Sequence, residues 1–344
     1  AEAAPRVPRR VGARVVAAML FFVSAVGIGA IRDPAHAATV AAFSASASAT
    51  GATIDATFPG APLSDQLVDL SGPTAEVAVN TIGTSTGFAA LPDPGTLILS
   101  VPGLASGLLG LGVAGLPPIH IGSLPAYPFA ISSNAANNPD VSEGAGPYAL
   151  SAHSTPTSSV ASASGGLVGA TGNTASLLST ASLQTTDSGV VATATSTLEG
   201  LTVGPLSLGK ITSTATETRN ADGTVTPTTH LTITGASIGG IAVTLGPKGL
   251  LAAGQPLSLA VGQTLTKLLH GAGITVTVEP AHIYRHRVIA PALVITSPVK
   301  VKLGTGDGTV TLTTASATAS LVGSASGLGP ILTPPSTPTT GVGT

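Results

Sequence analysis

The chain has 344 residues with a formal net charge of −2 at pH 7; 8% of them are charged, 3% are aromatic and none is cysteine. The lack of cysteine excludes a disulfide framework. Five of the thirteen basic residues lie in the first 37 positions, and the remainder carries eight basic against thirteen acidic residues. This balance argues against nucleic acid as a partner.

Residues 1–37 are predicted to be a secretory signal peptide. The apolar segment Val15–Ile31 follows a cluster of four arginines, and Ala35-His36-Ala37 fits the small-x-small cleavage pattern. The alternative is an uncleaved signal anchor, because an apolar run of about 17 residues is near the lower limit for crossing a bilayer. The segment has no cysteine that a lipid could modify, so a lipoprotein is excluded. We expect a secreted or cell-wall-associated protein with no integral membrane domain after cleavage.

Residues 38–187 are predicted to form an N-terminal β-rich region. Alternating apolar and polar residues, rich in β-branched types, are typical of half-buried strands. Between the last two predicted strands, Asn134–Pro147 reads as a polar loop. The predicted strands are Phe43–Phe58, Val68–Ile82, Tyr127–Ser133 and Tyr148–Ala163.

Residues 188–323 are predicted to form a C-terminal antiparallel β-meander, around which the chain is organised. In Lys210–Arg219, the residues Ile211, Ser213 and Ala215 alternate with threonines. The same period of two recurs in Gly223–Ile233 and Gly273–Val278. A threonine face suits water, because its hydroxyl tolerates solvent while its branched Cβ favours extended backbone.

Turn residues separate these strands, and two of the turns belong to an internal near-repeat. Asn220-Ala221-Asp222-Gly223 contains the Asp-Gly pair that hairpins prefer. Gly200–Leu208 matches Gly235–Val243 in character, position by position. Each copy reads as strand, tight turn, strand, so we expect two equivalent corners of one meander.

One helix and a tail complete the predicted organisation. Leucines and valines in residues 257–271 fall near helical spacing, with Gly271 as a C-cap and His270 in the last turn. We expect this amphipathic helix to cover one face of the sheet. Residues 324–344 are rich in proline and threonine, a composition that predicts a flexible spacer without a core.

Two glycine motifs resemble catalytic fingerprints but lack the context that those fingerprints require. Gly235-Ala-Ser237-Ile-Gly239 matches the nucleophile elbow of hydrolases, which needs a helix after the serine, whereas a strand is predicted here. Gly110-x-Gly112-x-x-Gly115 matches the dinucleotide fingerprint, but Leu116-Pro117-Pro118 forbids the helix that would receive the phosphates. Neither motif predicts catalysis, and no cofactor is expected.

The densest cluster of functional side chains is predicted at His282, Tyr284 and His286. On one strand these three would share a face, with Ile283, Arg285 and Arg287 on the other. Two histidines on one face could bind a metal, although Glu279 is the nearest carboxylate in sequence. The simpler interpretation is an exposed polar patch, which is the candidate binding site.

A second oxygen-rich segment was considered as a calcium loop. Its spacing lacks the glycine-centred layout of an EF-hand, so a solvated loop is the expected structure. The residues concerned are Asn137, Asn138, Asp140, Ser142 and Glu143.

The sequence resembles uncharacterised secreted or cell-surface proteins of high-GC Gram-positive bacteria, the actinobacteria. The resemblance is carried by Leu124–Phe129 (LPAYPF), Gly146–Ala152 (GPYALSA) and Glu199–Gly209 (EGLTVGPLSLG), together with the arginine-rich signal and the Ala/Thr-rich strands. It spans most of the mature chain. The resemblance implies export, but it implies no activity, cofactor or catalytic residue.

The sequence therefore predicts a mainly β fold, a long antiparallel meander with one short amphipathic helix packed on the sheet. The expected function is an exported, non-enzymatic protein with a structural or interaction role at the cell surface or envelope. One alternative is a carrier of lipid or another hydrophobic ligand, held between the helix and a sheet curved as in tubular lipid-binding folds. Another is a secreted hydrolase that uses Ser237 or the His282/His286 face.

Overall fold

The computed structural model describes residues 43–60, 65–91, 129–145, 148–168, 174–186, 188–220, 222–246, 249–252, 255–256, 259–299 and 307–323. The predicted signal peptide, the Gly110–Gly115 motif and the Pro/Thr-rich tail lie outside these residues.

The described chain forms twenty strands and one helix. The strands before the helix are β1 (Phe43–Thr57), β2 (Gln66–Asn80), β3 (Ser85–Leu91), β4 (Phe129–Asn134), β5 (Asp140–Ala145), β6 (Tyr148–Thr155), β7 (Ser158–Val168), β8 (Thr174–Thr186), β9 (Gly189–Val203), β10 (Leu206–Asn220), β11 (Val225–Thr234), β12 (Ala236–Ile238), β13 (Ile241–Gly246), β14 (Gly249–Ala252) and β15 (Gln255–Pro256). The helix α1 (Leu259–Gly271) precedes β16 (Thr275–Glu279), β17 (His282–Tyr284), β18 (Arg287–Ile289), β19 (Ala292–Val299) and β20 (Gly308–Gly323).

The strands form two antiparallel sheets, which confirms the mainly β prediction. The first sheet has the order β16-β19-β20-β1-β2-β3-β4, and the β17–β18 hairpin joins it at β20. The second sheet has the order β15-β14-β13-β12-β10-β9-β8-β7-β6-β5, with β11 paired to β10. The second sheet is the long meander that the sequence predicted, but it runs from β5 to β15 rather than over residues 188–323.

The course of the chain after the helix differs from the predicted meander. Strands β16 to β20 leave the second sheet and join β1 to β4 in the first, so that β20 pairs with β1 from Phe43↔Gly323 to Thr57↔Thr309. The predicted division at residue 187 falls between β8 and β9, which pair with each other as a hairpin. Helix α1 is the one helix among the described residues. It is not long and apolar enough to cross a membrane.

Two further sequence predictions are corrected in detail. Tyr148–Ala163 is not one strand, because the chain reverses between β6 and β7. The predicted loop Asn134–Pro147 contains β5, which pairs with β6 at the edge of the second sheet. The Asn220–Gly223 turn is confirmed, since the Asn220 amide donates to the Thr224 carbonyl at 2.9 Å and the Thr224 amide donates to Asp222 Oδ1 at 2.8 Å.

The near-repeat forms two neighbouring hairpins, as predicted. Gly204 turns β9 into β10 at φ +54°, and Gly239 turns β12 into β13 at φ +57°. These backbone angles are accessible to glycine at little cost. The two corners lie side by side, because β12 pairs with β10 and the Gly239 amide donates to the Pro205 carbonyl at 2.8 Å.

The core between the sheets changes composition along the strands. One cluster is dominated by buried alanines, among them Ala47, Ala194 and Ala317. The other holds larger aliphatic side chains such as Leu198 and Ile211, and it includes Leu265 and Leu269 of α1. The helix therefore contributes its apolar side to the core, which agrees with its predicted amphipathic character.

A row of buried serines links the two sheets. Ser179, Ser196 and Ser213 are cross-strand neighbours on β8, β9 and β10. Their hydroxyls donate to backbone carbonyls of the facing sheet: to Pro73 at 2.7 Å, to Thr50 at 2.9 Å and to Pro291 at 2.7 Å, respectively. These three hydrogen bonds connect the inner faces of the two sheets directly.

We expect Ser196→Ala to lower the free energy of unfolding by about 1–3 kcal/mol, because the part-buried Thr50 carbonyl loses the donor that the fully buried Ser196 supplies. Urea denaturation followed by circular dichroism measures the change. The control is Ser176→Ala, which removes an exposed hydroxyl from the same sheet. Equal stability of the two variants would contradict a role for the serine row in joining the sheets.

Candidate binding surface

The residues singled out in the sequence lie on the β17–β18 hairpin, which forms part of the first sheet. His282 and Tyr284 are exposed and lie two residues apart on β17, so they share its outer face. Their ring centroids are 6.3 Å apart and the ring planes differ by 21°. The structure thus brings two nearly parallel, solvent-exposed rings together, as the alternation predicted.

His286 does not extend this face, because the strand ends at Tyr284. Arg285 and His286 form the two-residue turn between β17 and β18. The His286 carbonyl accepts hydrogen bonds from the Leu321 amide at 3.3 Å and from Ser320 Oγ at 2.7 Å. The prediction of three aligned side chains is therefore wrong for His286, whose backbone fastens the turn to β20.

Arg287 takes the place that the sequence gave to His286. After the turn, Arg287 lies directly opposite Tyr284 on the neighbouring strand. Directly opposed residues of an antiparallel pair point to the same face. The alternation had placed Arg287 on the opposite face, because it assumed one continuous strand. We define the hairpin face as His282, Tyr284 and Arg287.

The hairpin is held firmly against the rest of the protein. Strand β18 pairs with β20 from Arg287↔Ser320 to Ile289↔Thr318. Between these outward residues, Val288 points inward and is fully buried. The Ala290 amide then donates to the Ala317 carbonyl at 2.9 Å. This anchoring fixes the positions of the exposed side chains before any ligand arrives.

Metal binding at this hairpin has no support in the geometry. His282 lies on the strand and His286 in the turn, so the two imidazoles do not share the predicted face. Within the ranges that the structure describes, no group of three or more histidine, cysteine, aspartate or glutamate side chains could hold a metal ion. The oxygen-rich segment that was expected to be a solvated loop is partly strand: Asp140 lies on β5, and its Oδ1 is hydrogen-bonded to His153 Nδ1 of β6.

A buried acidic residue lies next to Leu321 of β20, whose amide also binds the turn of the hairpin. Glu217 is 1% exposed on the inner side of β10, two residues before Arg219, which is also buried. Burial raises the pKa of Glu217 to about 7, although a hydrogen bond from the Leu321 backbone lowers it. Its Oε2 and the buried Nδ1 of His286 have no hydrogen-bond partner among the described residues. No prediction was made for Glu217 from the sequence, and the residue continues the inward side of Ile211, Ser213 and Ala215 on β10.

Ser237 lies in a hairpin corner and not in a nucleophile elbow. It is half-buried on β12, with Ser207 opposite on β10 and Ala242 opposite on β13. The glycine after it turns the chain into another strand, as the sequence predicted. The position of Ser237 therefore gives no support to the hydrolase alternative.

The outer face of the second sheet carries an ordered set of hydroxyl groups. The strand registers place them in three rows that cross β7 to β11, and each row also contains one side chain of another type, namely Val160, Leu178 or His230. Threonine hydroxyls of β9 and β10 lie 3.2 Å apart in the pairs Thr193–Thr216 and Thr195–Thr214, and 3.4 Å apart in Thr197–Thr212. We call this surface the hydroxyl face; it comprises Ser162, Ser164, Thr180, Ser182, Thr193, Thr195, Thr197, Thr212, Thr214, Thr216, Thr228 and Thr232.

No protein-family model matches the chain, and no curated protein shows significant similarity to it. The candidate surfaces are therefore assessed from their geometry and chemistry.

Proposed function

We propose that this chain is an exported, non-enzymatic protein that makes contact with the cell envelope through the hydroxyl face. The observation that carries this proposal is the alignment of twelve hydroxyl side chains in three rows across five strands, with one side chain of another type in each row. Such a surface suits an extended, hydrogen-bonding partner and gives little shape for enclosing a small substrate. The predicted signal peptide supports export.

The hydroxyl face has the physical properties that a contact surface of this kind needs. Cross-strand threonine pairs hold one another in place, so little side-chain freedom remains to be lost on binding. Each hydroxyl can both donate and accept a hydrogen bond, which suits a partner rich in hydroxyl or amide groups. The partner class is accordingly a polar component of the cell envelope.

The carrier alternative has no specific observation in its favour. The space between the described parts of the two sheets is occupied by the two clusters of buried side chains. Leu265 and Leu269 of α1, which would line the proposed groove, are themselves buried in the second cluster. The envelope role is therefore the better supported of the two.

We expect the full chain, expressed with its own leader in an actinobacterial host, to be recovered in the medium and the envelope fraction. Purified protein should also sediment with isolated envelopes. The double variant Thr195→Lys, Thr214→Lys should sediment about tenfold less, because two ammonium groups interrupt the central row. Immunoblotting of the fractions measures both results.

A matched control places the same charges on the first sheet. Ser44→Lys with Ser132→Lys changes two exposed serines far from the hydroxyl face. This variant should sediment as the unmodified chain does. Retention of the protein in the cytosol would overturn the export proposal, and equal sedimentation of the two double variants would overturn the role of the hydroxyl face.

A further inference from the structure

The hairpin face has the character of a ligand site that the hydroxyl face lacks. Aromatic residues make up only 3% of the chain, yet Tyr284 is 58% exposed beside the ring of His282. Exposed rings that stack on each other leave a flat apolar ring face open to a ligand at a low entropic cost. A ligand for these rings needs a flat apolar face of similar size.

The hairpin also carries positive charge that no residue in the described ranges neutralises through an ion pair. Arg285 and Arg287 are exposed, and neither forms an ion pair with a described residue. The described ion pairs lie elsewhere, at Lys210–Glu199 and His153–Asp140. A guanidinium in this position can hold a carboxylate through two parallel hydrogen bonds.

Polar groups continue outward from the hairpin face in one line. Arg287 lies opposite Ser320 of β20, and Ser320 lies opposite Ser46 of β1. Neighbouring strands are about 4.8 Å apart, so this line extends about 10 Å beyond the hairpin. The line is open to solvent at Ser46, which is exposed. A polymer can follow this line because no wall closes it at that residue.

We propose that the hairpin face binds an acidic polysaccharide. The apolar face of a pyranose ring would lie against Tyr284 and His282, and the carboxylate of a uronic acid would bind Arg287. Ser46 would hydrogen-bond a following sugar. This inference concerns a different surface from the hydroxyl face, and its test with purified protein does not depend on export.

The test measures binding of the full chain to alginate, a polymer of uronic acids, by isothermal titration calorimetry at fixed salt. Dextran serves as a neutral polysaccharide, and polyacrylate supplies carboxylates without sugar rings. We expect saturable binding to alginate, and binding at least about tenfold weaker to each of the other two polymers. Single-stranded DNA is included, because its bases also stack on aromatic rings.

Three variants separate the contributions of the side chains. Tyr284→Ala and Arg287→Gln should each weaken alginate binding about tenfold, since each removes one exposed contact of the hairpin face. Ile283→Ser is the control, because Ile283 is 60% exposed on the opposite face of the same strand and should change the affinity less than about twofold. Circular dichroism confirms that all three variants fold.

Several results would overturn the proposal. Absence of alginate binding would do so directly. Polyacrylate binding as tight as alginate binding would reduce the interaction to charge alone. Tighter binding of single-stranded DNA would assign the face to a different class of partner, and unchanged affinity of Tyr284→Ala would show that the rings play no part.

Discussion

Leu198→Ala is expected to lower the free energy of unfolding by about 2–5 kcal/mol. Leu198 is fully buried on β9, with Leu177 and Ile211 opposite it on the two neighbouring strands. The substitution removes apolar area and leaves a cavity in the cluster that joins both sheets to α1. Regular strands on either side limit how far the surroundings can collapse into that cavity, so we expect the upper part of the range.

Urea denaturation followed by circular dichroism measures this change, and the neighbouring residue supplies the control. Thr197 is half-buried on the hydroxyl face of the same strand and pairs with Thr212, so Thr197→Ala should cost about 1 kcal/mol or less. The two variants differ by one position and by the face they occupy. Similar losses in both would contradict the assignment of Leu198 to the core.

The second large effect is a loss of stability as the pH rises from about 4.5 to about 7. Burial raises the pKa of Glu217 from 4.5 to about 7 in the folded protein. The folded state therefore binds this proton more tightly than the unfolded state does. The resulting stabilisation is complete below the unfolded pKa and disappears as the pH rises through the folded pKa, with a total of about 3 kcal/mol.

Glu217→Gln should abolish most of this pH dependence, because glutamine stays neutral at every pH in that range. The control Glu279→Gln removes an exposed carboxylate and should retain it. Urea denaturation at several pH values between 4 and 8 gives the free energy of unfolding of each variant. The slopes of this free energy against pH are then compared. An unchanged slope in Glu217→Gln would assign the effect to another group.

Local features of the fold could be predicted from the sequence because they depend on neighbouring residues. The alternation in β10 correctly placed Ile211, Ser213 and Ala215 inward. The Asp-Gly turn after β10 and the two glycine corners of the near-repeat were also predicted correctly. Each of these depends on a few consecutive residues whose backbone preferences are specific.

The division into two sheets could not be predicted in the same way. Strands of both sheets show the same alternation of small apolar residues with serine or threonine, so the pattern does not identify a partner strand. The pairing of β1 with β20 joins the two ends of the described chain. The serine row could not be predicted either. A serine at an inward position interrupts the apolar pattern, and the sequence does not show the carbonyl that accepts its hydrogen bond.

The hairpin face illustrates the same limit at a single turn. The alternation correctly joined His282 to Tyr284, but it continued through Arg285 and His286 as though they were strand. Two-residue turns usually contain glycine or asparagine, and this one contains neither. Residues three apart on one continuous strand point to opposite faces. Across a two-residue turn, Tyr284 and Arg287 are paired and point to the same face.

The position of β1 between β2 and β20 has a consequence for the order of folding. The first described strand is central in its sheet, yet one of its two partners is the last described strand. During synthesis from the N-terminus, β1 keeps one open edge until β20 has emerged. The β5–β15 meander, whose pairings are mostly local, can form earlier and act as a template. Pairing between strands so distant in sequence slows folding. The first sheet is therefore complete only after β20 has been synthesised.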